Sequence, residues 1–97
     1  LAGIFSVNDG GAMGALAAIQ GSGKDIKLTS VDGAPEAVKA ITEGGPFIET
    51  TAQFPRDQVR VGLAMALAQK WGARVVPKEV PIDVMVVDAE NAAEFSW

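Results

Sequence analysis

The 97-residue chain contains no cysteine and no histidine. Those two absences together remove disulfides, thiolate nucleophiles, serine–histidine triads and the usual zinc sites. Cysteine usage therefore says nothing about compartment. Aromatic residues are scarce at 6%, whereas glycine and alanine are plentiful, so helices can approach a sheet closely while each residue buries little area. Basic residues are outnumbered 8 to 12, giving a formal charge of −4, and they form no stripe. Nucleic acid is accordingly not an expected partner, because phosphate binding needs clustered Lys and Arg. No run approaches the roughly 18 apolar residues of a spanning helix, and no basic-then-apolar leader stands at the start. What is present is globular composition, 48% apolar and 21% charged, on a length that suits one small domain.

Ile4 to Val7 reads as a short buried strand bounded by Gly3 and Asn8. Asp9 is placed to cap a helix over about residues 10–21, which Gly21 and Gly23 end. A second strand is expected over 26–31, closed by Asp32-Gly33, and Pro35 opens a second helix that carries Val38 and Ile41 inward and stops at Gly44-Gly45. Residues 47–53 form a third strand. Pro55 opens the longest helix, to about Trp71, with Val59, Leu63, Ala66 and Leu67 at helical spacing and Trp71 packing at its end. "VPIDVMVVD" is a fourth extended run, and "AENAAEF" a short last helix capped by Asp88. This alternation implies a mostly parallel sheet with helices packed on it.

Each of the first three strands ends in a polar side chain: Asn8, Asp32 and Gln53. In an open parallel sheet the carboxyl ends share one edge, where ligands bind. Two amides that donate and accept, with one carboxylate that accepts, suit a neutral polyol and repel a phosphate. Strand ends also use such residues merely to turn the chain. Two other signals carry less. "GSGKD" lacks the glycine spacing and the Ser/Thr of a phosphate loop and follows a helix, so it is a helix end. Asp9 and Asp32 lack the apolar setting that would make one of them an acid catalyst.

"IFSVNDGGAMGAL", "IKLTSVDGAPEAVKAITEG" and "TTAQFP" resemble, in that order, three motifs in the second half of the ribose/galactose-type periplasmic sugar-binding proteins of ABC transporters. The resemblance implies a three-layer α/β/α arrangement with a mostly parallel sheet, part of the type I periplasmic-binding-protein fold. It implies that Asn8, Asp32 and Gln53 hydrogen-bond a sugar and that Val31 lines the pocket. It departs at Gly10-Gly11, at Ala34 where a capping Thr is common, and at Val31 where an aromatic is common. Residues 1–53 and 84–97 would belong to the C-terminal lobe. Residues 54–83 would form a crossover helix and strand on an N-terminal lobe, making this a C-terminal fragment of an exported protein.

The implied function is that of a solute receptor, not an enzyme, with no catalytic residue, metal or cofactor. Its expected partners are a sugar or polyol, an ABC transporter permease and the N-terminal part of the same protein. Its expected place is the periplasm, or the outer surface of a Gram-positive cell through a lipid anchor. The effector-sensing domain of a LacI-type repressor shares the Asn-Asp motif and is the alternative; a sugar-modifying α/β enzyme is a second one.

Overall fold

The computed structural model describes all 97 residues. Strand β1 (Gly3–Phe5) leads through Asn8 into helix α1 (Asp9–Ser22). Asn8 is the cap, not Asp9. Asn8 is extended, with φ −154° and ψ 160°, and its Oδ1 accepts the Gly11 N–H at 2.7 Å. A cap must have non-helical backbone so that its side chain can turn back over the first turn. Asp9 is already helical and buried. Gly23 ends the helix in the left-handed conformation that glycine adopts without steric cost. Strand β2 (Lys27–Asp32) follows, then helix α2 (Pro35–Glu43). Pro35 begins α2, and Ala34 supplies no side-chain cap. Strand β3 (Phe47–Ala52) leads to helix α3 (Pro55–Lys70), and strand β4 (Met85–Asp88) comes last.

The sheet has the order β1-β2-β3-β4. The first two pairings are parallel, and β3 with β4 is antiparallel. The two crossovers step the same way across the sheet, so the usual right-handed path puts α1 and α2 on one face. Burial agrees with that placement. Leu28, Ser30, Phe47, Thr50, Ala52 and Val87 are buried beneath Ala12, Leu16 and Ile19 of α1 and Ala37 and Ile41 of α2. On the other face Phe5 is 66% and Val86 53% exposed, with Val31 and Thr51 half-buried between them. Of the expected three layers, residues 1–53 and 84–97 thus supply the sheet and one helical layer.

Three local expectations are corrected. Only residues 85–88 of the fourth extended run pair, and they pair antiparallel. Residues 89–94 form successive turns, not a helix. Asp88 does accept the Glu90 N–H at 2.9 Å, but Asn91 bonds back to the Asp88 N–H and the Val86 carbonyl. Such side-chain bonds offer the backbone an alternative to the helix. Trp71 is 77% exposed, so it does not pack at the end of α3. The helix stops there because Gly72 has φ 83°.

The chain divides into two compact units, residues 1–53 with 84–97 and residues 54–83. Every buried core side chain belongs to the first. Within the second, α3 begins at Pro55, carries Asp57 in its first turn and Lys70 in its last, and buries no residue. No helix is long and apolar enough to cross a membrane.

Candidate ligand site at the strand ends

The carboxyl ends of β1, β2 and β3 share one edge of the sheet, as parallel pairing requires. The chain leaves β2 there through an unusual turn. Asp32 has φ 135°, a conformation that costs a side-chain-bearing residue steric strain, and Gly33 follows with φ 80°. A Cβ on Gly33 would lie 2.6 Å from the Ala52 Cβ, so only glycine lets the turn approach β3 this closely. The close approach brings two expected residues together. Gln53 Nε2 donates to Asp32 Oδ1 at 3.2 Å, and the Gln53 backbone N–H donates to the Asp32 carbonyl at 3.0 Å. The Asp9 N–H donates to Asp32 Oδ2 at 3.4 Å. Asn8, the residue before Asp9, is therefore at the same edge, with its side-chain Oδ1 engaged as the helix cap. Val31 follows the pleat: it pairs with Thr51 on the face opposite Ser30 and is half-buried.

Beneath this edge lies a polar cluster that reading the sequence missed. Asp9 is fully buried. Its Oδ1 accepts the hydroxyls of Ser30 and Thr50, and its Oδ2 accepts the Ala34 N–H at 2.7 Å. Thr50 Oγ1 in turn accepts the Gly33 N–H at 3.2 Å. No buried side-chain polar atom is left without a partner. The chain's three ion pairs all lie elsewhere, so no cation neutralises Asp9 or Asp32. The available signal was in the strands: Ser30 and Thr50 fall on the inward, otherwise apolar face of β2 and β3. A buried hydroxyl needs a partner, and the nearest strand end offers a carboxylate.

No group of His, Cys, Asp or Glu side chains is arranged to hold a metal ion. A separate groove of about 310 Å³ is lined by Gly33, Pro35, Val38, Lys39, Phe95, Ser96 and Trp97. It is mainly apolar and contains none of Asn8, Asp32 and Gln53.

Residues 1–73 match the family model of the periplasmic binding protein domain. The chain belongs to that family. It is 34% identical over 88 residues to the D-allose-binding periplasmic protein of Escherichia coli (strain K12), covering 89% of this chain and 28% of that one. It is 35% identical over 85 residues to the ribose import binding protein RbsB of Salmonella typhimurium, covering 87% of this chain and 28% of RbsB. Among solved structures, an ABC transporter periplasmic solute binding protein from Actinobacillus succinogenes with bound D-allose superposes with a TM-score of 0.88 at 30% identity. That match covers 98% of this chain and 34% of the neighbour. The chain thus spans 28% of the length of these curated relatives. Family and fold class agree with the resemblance carried by the three motifs: a mixed, mostly parallel sheet with helices, part of the type I periplasmic-binding-protein fold. These relatives are named as periplasmic, import or ABC transporter solute binding proteins.

Proposed function

We propose that this chain is part of a solute receptor for a sugar or polyol that serves an ABC transporter, with Asn8, Asp32 and Gln53 contacting the ligand and Val31 lining the pocket. The observation that carries the reading is the Asp32–Gln53 pair at the strand ends, one residue away from Asn8 by way of the Asp9 N–H. A carboxylate has about four lone-pair positions, and two are used here, so Asp32 keeps capacity to accept ligand hydroxyls. The Asp32 carboxylate itself favours a neutral ligand over an anionic one, because like charges repel. Relatives named for D-allose and ribose support the same class.

In this reading residues 1–53 and 84–97 belong to a C-terminal lobe, and residues 54–83 pack on an N-terminal lobe supplied by the rest of the protein. Ligand bridging two lobes shifts the receptor toward its closed form, which a membrane permease then recognises. The periplasm is the matching compartment, or the outer surface of a Gram-positive cell through a lipid anchor. The receptor returns its sugar unchanged.

The test is calorimetry on the full-length protein with D-allose and D-ribose. Asp32→Ala is expected to weaken binding by about 10- to 150-fold, the equivalent of about 1.5–3 kcal/mol for a charge-assisted hydrogen bond. Unchanged affinity would remove Asp32 from the site, and chemical change of either sugar would remove the receptor reading.

A further inference from the structure

We propose that Asp9 is the positioning residue of the ligand site: its buried carboxylate ties the start of α1 to β2 and β3 so that Asp32 and Gln53 are held where a ligand meets them. The inference rests on the assignment of Asp32 and Gln53 to that site. Asp9 does not itself reach a ligand, being fully buried. A buried carboxylate without a cation is costly unless hydrogen bonds compensate it. Here three do, and they come from residues 21, 25 and 41 positions away. One acceptor group therefore gathers β2 through Ser30, the turn beyond β2 through Ala34, and β3 through Thr50.

The clamp is continuous with the site. The Asp9 backbone N–H donates to the Asp32 carboxylate, while the Asp9 side chain holds Ala34, two residues beyond Asp32. Thr50 bonds to both Asp9 and the Gly33 N–H. Asp32 is thus anchored on both sides of its strained backbone, at φ 135°. A strained residue persists only where its surroundings over-determine it. Asp9 supplies that constraint from the first turn of α1. Asparagine at position 9 keeps the shape but has one acceptor oxygen in place of two: either its NH2 group meets the Ala34 N–H, or it donates to the two hydroxyls, whose own O–H groups then lose their acceptor.

The test uses the full-length protein and compares Asp9→Asn, Ser30→Ala and Thr50→Val with Ile41→Val, a core change in α2 outside the clamp. Two readouts are taken at a temperature where each variant is fully folded. One is amide hydrogen exchange at Gly33, Ala34 and Gln53 without ligand; the other is affinity for D-allose and D-ribose by calorimetry. Thr50→Val and Ser30→Ala are expected to speed exchange at Gln53 and weaken binding by about tenfold each, with Asp9→Asn larger, because each hydroxyl variant removes one hydrogen bond to the buried carboxylate and Asp9→Asn disturbs all three. Ile41→Val is expected to lower the melting temperature and change neither readout. The proposal is overturned if the clamp variants melt earlier yet keep wild-type exchange at Gln53 and wild-type affinity, as a purely structural staple would. If Asp9→Asn does not fold, the two hydroxyl variants decide. If the wild-type protein binds neither sugar, the proposed function fails while exchange at Gln53 still decides the positioning role.

Discussion

Helices α1 and α3 are both long and rich in small apolar residues, yet they behave in opposite ways. α1 buries Ala12, Leu16 and Ile19 against the sheet. α3 buries nothing, and Val59 and Leu63 stay 68% and 58% exposed. The charges divide along the same line. Residues 54–83 hold Arg56, Arg60, Lys70, Arg74 and Lys78 against Asp57, Glu79 and Asp83, whereas the rest of the chain carries mostly acidic charge. Apolar spacing tells that a helix has a face to bury, but not what will bury it. α1 is laid on its partner by a crossover between paired parallel strands. α3 lies between β3 and the antiparallel β4 in the chain, and residues 54–83 offer it no core of their own.

The largest expected contrast is between core truncations. Phe47→Ala should cost about 3–5 kcal/mol in urea unfolding of the full-length protein, since Phe47 is fully buried. If residues 54–83 pack on an N-terminal lobe as proposed, Leu63→Ala should cost about 2–3 kcal/mol in the same experiment. A cost within about 0.5 kcal/mol would leave α3 a solvent-facing helix and break that lobe assignment.

Glycine substitutions give the next contrast, with opposite signs. Gly33→Ala should destabilise by about 1–2 kcal/mol for its positive φ alone, and by more through contact with Ala52. Gly62 lies inside α3 with open space around its Cβ position. Gly62→Ala should therefore raise stability by about 0.5–1 kcal/mol. Loss of stability there would show that another surface approaches α3 closely at that point. An effect of the same size as Gly62→Ala should come from Ala34→Thr, which supplies the cap that α2 lacks and should add about 0.5–1 kcal/mol, read as a higher melting temperature.

The punctuation of the fold was legible because it is local. Pro35 and Pro55 open helices, Gly23 closes one, and Asp32-Gly33 ends a strand, each through its own backbone preference. What depends on a distant partner was not legible. Asp9 has the composition of a cap, and only the placement of Ser30 and Thr50 turns it inward. Residues 89–94 have helix-forming composition, and Asn91 diverts them. Trp71 was expected to pack because tryptophan is large, but residues 54–83 contain nothing that covers it. The strand-end logic pointed to Asn8, Asp32 and Gln53 at one edge; the clamp below depends on the start of α1 meeting β2 and β3 in register.

That register contains one irregularity. Leu28 pairs with Phe47, but Thr29 pairs with Glu49, so β3 carries one residue more than β2 over this span. Strict alternation from Phe47 would turn Glu49 and Thr51 toward the helices. The bulge resets the phase, and Thr50 and Ala52 face inward instead. The strand consequently has one place where its length is adjustable. Removing either Ile48 or Glu49 would restore regular pairing and leave Thr50 opposite Ser30. Removing Thr50 or Thr51 would instead leave a threonine opposite Ser30 but carry Ala52 and Gln53 one residue out of step with Asp32. Shortening thus keeps Gln53 beside Asp32 on the amino-terminal side of Thr50 and displaces it from Thr50 onward, a one-residue boundary between spare length and fixed length within a single six-residue strand.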